Sequence, residues 1–304
     1  MPFALIGFFL GLKSGLISWP FNSKHEVVYG TGQWNLNGTI SWQGDNLSLF
    51  SVNYKFYIYK FLVVLLCMIT ARSAAMAFNR YLDRNWDALN PRTAIREIPK
   101  GIITPKNALT FTIISCLLFI AATFFINRIC FFLSPVALAV VLGYSYTKRF
   151  TPLCHLILGL GLSLAPIGAY LAVTGVFHWL PILFSLAVIF WVSGFDIIYA
   201  LQDEEFDKSN QLYSIPAWLG KAKALLVSEV LHLLSAAAVI AAGKFGSFGW
   251  LYWIGVLVFI GMLVYQHSIV KPTDLRRVNL AFMTANGIAS VVFAIFVITD
   301  LFMN

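Results

Sequence analysis

The chain has 304 residues, of which 59% are hydrophobic and only 11% charged, with 27 Phe and a mean hydropathy of +0.79. A soluble domain carries about 25% charged residues, so composition excludes an ordinary water-soluble globule and points to an all-α polytopic membrane protein. The formal net charge of +8 then reads as topology and anion binding; with no soluble domain to present it, it argues against a nucleic-acid partner.

Nine apolar stretches approach the roughly 20 residues needed to cross the hydrocarbon core. The first, Phe3 to Ile17, is short. Either it tilts little and uses Trp19 to Phe21 as an interfacial end, or the true start lies upstream of Met1. No charged n-region or small-residue cleavage site marks a signal peptide. Residues 18–55 follow, rich in Gly, Asn, Ser, Trp and Tyr. They read as an extracytoplasmic insertion, a cap without chemistry, in which Trp34, Leu36 and Ile40 alternate as in a short hairpin.

Span 2, Phe61 to Phe78, contains Arg72 and runs into Asn79-Arg80-Tyr81-Leu82-Asp83-Arg84-Asn85-Trp86-Asp87. At about 100° per residue, helix positions four apart drift only roughly 40°, so Asn79, Asp83 and Asp87 share a face. Arg72, seven residues before Asn79, falls on that face too. A cation expected inside a span is a functional residue by default. The next segment, Asn90 to Gly101, carries Arg92 and Arg96 four apart, a spacing that lets two guanidinium forks reach one anion. Spans 3 and 4 are Ala108 to Ile126 and Ile129 to Tyr144. The latter ends with Tyr144 and Lys148, again four apart.

Spans 5 and 6 are Leu156 to Val176 and Leu180 to Tyr199. Span 6 runs into a second acidic stretch, Asp196 to Asp207, where Asp196, Asp203 and Asp207 lie within about 40° of one another on a continuous helix. The chain closes with spans 7 to 9: Leu225 to Ala242, Leu251 to Tyr265 and Leu280 to Thr299. Eight of the 13 acidic residues (Asp83, Asp87, Glu97, Asp196, Asp203, Glu204, Glu205, Asp207) fall in or beside the two stretches. Carboxylates stacked so closely repel one another and make sense around a divalent cation. Two such clusters fringed by Arg and Lys read as a Mg²⁺-diphosphate site. The four Cys (67, 116, 130, 154) have no paired spacing and read as small apolar fillers.

Basic residues set the orientation. The loops after spans 2, 4, 6 and 8 hold 14 (Arg80, Arg84, Arg92, Arg96, Lys100, Lys106, Lys148, Arg149, Lys208, Lys221, Lys223, Lys271, Arg276, Arg277), against five on the other side (Lys24, Lys55, Lys60, Arg128, Lys244). The acidic clusters should therefore face the cytoplasm.

With its Asn-x-x-x-Asp-x-x-x-Asp run after span 2 and its Asp-x-x-Tyr-Ala-x-x-Asp-x-x-x-Asp run at the end of span 6, the chain resembles the UbiA superfamily of intramembrane prenyltransferases. The likeness covers nearly everything outside residues 18–55. It implies nine transmembrane helices around a central chamber, one prenyltransferase domain over 1–304, and an enzyme of a bacterial inner membrane. It implies Asn79, Asp83, Asp87, Asp203 and Asp207 as the Mg²⁺ and diphosphate ligands. It implies Arg92, Arg96 and Lys148 on the phosphate oxygens with Tyr144 nearby, Asp196 and Tyr199 beside the reacting carbon, and Arg72 meeting an acceptor carboxylate. Arg80 stands where many members have Asp. The partners implied are a polyprenyl diphosphate, an aromatic acid acceptor and the surrounding membrane lipid.

The Tyr199 to Asp203 run argues against the heme-farnesylating branch. The run through Asp207, then Leu212 to Pro216 and Gly220, is similar to 4-hydroxybenzoate polyprenyltransferases of respiratory quinone biosynthesis. Phe78-Asn79-Arg80, Asn90 to Ala94 and Gly194-Phe195-Asp196 look most like a subgroup with an aminodeoxyfutalosine-type benzoate acceptor in menaquinone synthesis. A transporter using the Asp clusters for coupling cations is the alternative from another class; it has no use for the Arg-rich segment from Arg92 to Lys100.

Overall fold

The computed structural model describes residues 2–18 and 46–303, with side chains over 2–14 and 56–303. The hairpin expected around Trp34, Leu36 and Ile40 lies outside the described residues. Eleven α-helices make up the described fold: α1 (Pro2–Ser18), α2 (Asn46–Leu89), α3 (Pro105–Phe124), α4 (Arg128–Thr147), α5 (Cys154–Thr174), α6 (Trp179–Ala200), α7 (Glu204–Ser209), α8 (Ile215–Leu219), α9 (Lys221–Phe245), α10 (Trp250–Ile269) and α11 (Asn286–Met303). A 3₁₀ turn, Leu201–Asp203, links α6 to α7, and a π-helical turn, Leu280–Ala285, leads into α11.

Among the described residues eight helical stretches are long and apolar enough to cross a membrane. The ninth expected span, α1, is shorter, apolar over Pro2–Ser14. Its packing explains how it holds its place. Phe3, Ile6 and Leu10 are buried at the centre of the main core with Tyr170 of α5, Phe184 and Trp191 of α6, Phe259 of α10 and Phe293 of α11. Lipid tails are as apolar as these side chains, so close interlocking rather than water exclusion holds the helices together. The rings meet edge to face or tilted, as in Phe3–Phe259 with centroids 6.1 Å apart at 75°. Gly7 permits the contact with α5: a Cβ there would sit 2.0 Å from the Pro166 carbonyl oxygen.

Away from this core the helix surfaces remain apolar. Phe111, Leu117, Phe132 and Leu257 are each more than half exposed, a surface suited to hydrocarbon. The chain is an integral membrane protein. All four cysteines are free, two of them buried, as expected for fillers.

Two features position the functional end. Helix α2 runs unbroken from the span through both aspartates of the first acidic stretch. From Phe56 to Leu89 it covers 34 residues, or about 50 Å at 1.5 Å per residue, against a core of about 30 Å, so its last turns emerge at the polar end. Helix α6 does not continue in the same way. The 3₁₀ turn breaks it after Ala200, which corrects the single-helix arithmetic for Asp196, Asp203 and Asp207. The chain then reverses at Gln211, whose positive φ of 55° suits a tight turn, and returns through Leu212–Ser214 to α8.

Candidate active site

The end of α2 supplies one wall. Asn79 Nδ2 donates to Asp83 Oδ2 (2.9 Å), the i to i+4 contact that the spacing predicts. One turn on, Asp87 Oδ1 accepts from Arg96 Nη1 at 2.6 Å. After Leu89 the chain turns on Asn90, whose Oδ1 accepts the Arg92 backbone N–H at 3.0 Å while its Nδ2 donates to Asp203 Oδ1 at 3.0 Å. Such a local side-chain bond is what makes Asn a turn residue. The turn sends Arg92 back across the cavity. Its Nε donates to Asp203 Oδ1 (3.0 Å), its Nη2 to Asp203 Oδ2, and its Nη1 to the Tyr199 hydroxyl (2.7 Å). The guanidinium also lies 4.9 Å over the Tyr199 ring. Burial works against the charge of Arg92, but the hydrogen bonds and ion pair with Asp203 outweigh it and raise its pKa.

The end of α4 supplies the facing wall. Lys148 Nζ lies 2.7 Å from Asp207 Oδ1, and Ser214 Oγ donates to Asp207 Oδ2 at 2.8 Å. Burial would lower the Lys148 pKa; the fully buried Asp207 carboxylate beside it raises it on balance. Arg149 stacks over Trp86 (4.6 Å) and Tyr146 (5.2 Å), donates to the Leu82 carbonyl at 3.1 Å, and lies 3.9 Å from Asp83. Deeper in, Asp196 Oδ2 lies 2.7 Å from Nδ1 of His155, and the Tyr199 ring packs at 4.2 Å on Phe282 of the π-helical turn.

These groups enclose a cavity of about 240 Å³. Of the residues expected from sequence, Asn79, Asp83 and Asp87, then Arg92 and Arg96, then Tyr144 and Lys148, and finally Asp196, Tyr199 and Asp203 all line it. Asp207 stands behind the wall and reaches it through Lys148. Arg72 does not belong to the lining and is exposed. The burial expected for it is therefore corrected: helix periodicity gives a side chain's angle, not what packs beside it.

Three further lining residues, Asn90, Arg149 and His155, touch the site's carboxylates and are not singled out by the sequence motifs. Asn90 could have been found from its place before Pro91, since Asn-Pro favours a turn. In the sequence Arg149 enters only the count of basic residues that sets orientation. His155, an ionisable side chain at the start of an apolar span, was the signal to follow.

The donor set is entirely oxygen, which suits a hard divalent cation. Asp87 Oδ2 is buried without a hydrogen-bond partner. Among the described residues no three His, Cys, Asp or Glu side chains converge on one ion by themselves. Mg²⁺ is commonly held by one or two carboxylates together with substrate phosphates, so these residues fit it in that manner.

A helical membrane bundle with three carboxylate–cation pairs gathered at a cavity at one end has the make-up of an intramembrane enzyme acting on an anionic substrate. The sequence model of the UbiA prenyltransferase family matches residues 48–288, and the chain belongs to that family; it is a transferase. The 4-hydroxybenzoate octaprenyltransferase of Klebsiella pneumoniae is 30% identical over 225 residues, 73% of this chain and 77% of the relative. That of Aeromonas salmonicida is 29% identical over 237 residues, 78% and 81% of the two chains. Among solved structures, a UbiA homolog from Aeropyrum pernix superposes with a TM-score of 0.77 at 26% identity, covering 98% of this chain and 97% of that one. A UbiA homolog from Archaeoglobus fulgidus, bound to DMAPP and Mg²⁺, shares the fold at 17% identity with a TM-score of 0.65, covering 100% and 96%. Family membership sets aside the transporter reading.

Proposed function

We propose that the whole chain is one membrane-embedded domain that transfers a polyprenyl group from a polyprenyl diphosphate to the ring of an aromatic acid, in the manner of a 4-hydroxybenzoate polyprenyltransferase of respiratory quinone biosynthesis. The carrying observation is the gathering at one cavity of Arg92–Asp203, Arg96–Asp87 and Lys148–Asp207, with Asp196 and Tyr199 deeper. Helix α1 lies outside the family match yet supplies Phe3, Ile6 and Leu10 to the core, which supports a single unit.

The division of labour follows from charge. Arg92, Arg96 and Lys148 bind the diphosphate oxygens, and Tyr144 lies beside them in the lining. Each cation is paired with a carboxylate, and an arriving diphosphate competes for the cation and frees the carboxylate. Asn79, Asp83, Asp87 and Asp203 would hold Mg²⁺, which supplies further neutralisation of the departing diphosphate when bound. Asp207, expected as a further ligand, instead orients Lys148 from behind the wall. The allylic C–O bond breaks and its electron pair leaves with the diphosphate. The allylic carbon then bonds to a ring carbon of the acceptor, and the ring proton passes to Asp196. Apolar walls keep water from capturing the cation. Arg72, on the face of Asn79 about 10 Å along α2 at 1.5 Å per residue, is assigned to the acceptor carboxylate from outside the cavity lining.

The Phe78–Arg80, Asn90–Ala94 and Gly194–Asp196 runs favour a second acceptor, an aminodeoxyfutalosine-type benzoate in menaquinone synthesis. Product masses from membranes given a polyprenyl diphosphate and each acceptor in turn decide between the two. The expected result is a prenylated aromatic acid formed only with Mg²⁺. Transfer to neither acid, or undiminished turnover after exhaustive chelation, overturns the corresponding part of the proposal. For location, a bacterial inner membrane with the cavity facing the cytoplasm is proposed from the 14-to-5 division of basic residues. In a background lacking the four native cysteines, Val176→Cys, in the exposed α5–α6 loop, should react with an impermeant thiol reagent from outside intact cells. Labelling only after permeabilisation reverses the orientation.

A further inference from the structure

We infer that His155 is a positioning residue: it holds one oxygen of Asp196 in its Nδ1–H tautomer and leaves the other oxygen to the acceptor. The inference rests on the aromatic transfer proposed above and adds a residue that neither sequence motif contains.

His155 is 3% exposed at the start of α5. An ionisable side chain at such a place is costly unless its polar atoms are used, and here all are. Nδ1 lies 2.7 Å from Asp196 Oδ2. Nε2 lies 3.3 Å from the Ile215 backbone nitrogen, whose proton it accepts. A backbone N–H can only donate, so Nε2 is the bare ring nitrogen and the single proton sits on Nδ1, directed at Asp196. The ring is neutral and a fixed donor.

The donor is itself fixed on both sides. Ser193 Oγ donates to the His155 carbonyl at 3.1 Å. Ile215 is held next to Ser214, whose hydroxyl bonds Asp207 Oδ2 at 2.8 Å and accepts the Ala217 N–H at 3.3 Å. A line of contacts thus runs from the Lys148–Asp207 pair through Ser214 and Ile215 to His155 and Asp196. Asp196 lines the cavity with its side chain 24% exposed, and among the described residues its Oδ1 has no hydrogen-bond donor. One oxygen is anchored and the other is presented.

In the transfer step the ring proton goes to Asp196 Oδ1, while His155 keeps its Nδ1 proton throughout. It orients the carboxylate and touches the reaction only through it. Losing a hydrogen bond to a charged group predicts a kcat lower by roughly 10- to 100-fold for His155→Phe, with the KM for the prenyl diphosphate moved less than about twofold. His155→Asn, whose Nδ2–H can replace Nδ1–H, should recover most of the loss. The Asp196→Asn/His155→Phe pair should be no slower than Asp196→Asn alone, because the two act as one unit.

Nitrogen NMR of ¹⁵N-histidine-labelled wild-type protein in nanodiscs reads the tautomer directly and needs no variant to fold. A His155 ring protonated on Nε2 overturns the proposal whatever the acceptor is. So does a His155→Asn enzyme that melts like wild type but is as slow as His155→Phe. Wild-type protein that prenylates no aromatic acid overturns the acceptor reading instead, and the two failures are distinguishable.

Discussion

The two ends of α6 differ in what they add to apolar packing, which both have. Over Phe184, Val188, Trp191 and Val192 the helix is locked into rings and branched chains from α1, α10 and α11. The polar contacts there are few and fully internal, such as Trp191 Nε1 and Gln266 Nε2 both donating to Asn286 Oδ1 at 3.0 and 2.7 Å. Beyond Gly194 the same helix, and the turn that follows it, meets α5 and the α2–α3 loop through hydrogen-bonded carboxylates: His155 on Asp196, and Arg92 and Asn90 on Asp203. Shape complementarity is insensitive to ligands. Paired charges are not, because an incoming anion competes for the cation and frees the carboxylate. The apolar end is thus a fixed frame, and the charged end is prearranged to exchange partners.

This contrast can be broken from either side. The largest effect should come from Asp203→Asn, which removes the charge facing Arg92 and disturbs its bond from Asn90. Loss of one partner of a desolvated pair costs about 2–5 kcal/mol, so turnover should fall by about 10²- to 10³-fold. The melting temperature should change little, since the frame lies elsewhere. A variant that loses fold and activity together would merge the two regions into one.

Gly7→Val should do the reverse. A Cβ placed 2.0 Å from the Pro166 carbonyl forces α1 away from α5, an overpacking worth about 1–3 kcal/mol. Thermal stability should drop measurably while the KM for the diphosphate holds, because α1 supplies no residue to the cavity lining. A selective KM change would show that the frame is not passive.

The smallest effect belongs to Arg72→Ala. An exposed ion pair is worth about 0.2–1 kcal/mol, so the acceptor KM should rise by less than about 10-fold and the diphosphate KM stay constant. A rise confined to the diphosphate KM would move Arg72 into the phosphate-binding set.

How much of this was legible depended on sequence separation. The Asn79–Asp83–Asp87 face could be read because helix period alone fixes neighbours four apart, and the structure joins Asn79 to Asp83 by a hydrogen bond. The apolar spans were legible for the same local reason. The fit of short α1 into the core was not, because the aromatic rings around it come from α5, α6, α10 and α11. Asn90 and His155 escaped because their partners, Asp203 and Asp196, lie 113 and 41 residues away. The straight second motif failed at one local event, the 3₁₀ turn at Leu201–Asp203. Nothing in a count of 100° steps announces such a turn.

The π-helical turn at Leu280–Ala285 carries a consequence of its own. A π turn amounts to one extra residue let into an α-helix. The extra residue turns the positions at the start of this helix by about 100° relative to α11. Phe293 and Val297 of α11 face the core, while Phe282, inside the turn itself, packs tilted by 30° against the Tyr199 ring. The Tyr199 ring is held from two sides, by Phe282 of this turn and by Arg92 at its hydroxyl and over its face. Adding or deleting one position between Leu280 and Ala285 should therefore shift Phe282 against Tyr199, which lines the cavity, and so move one cavity wall from outside the charged set.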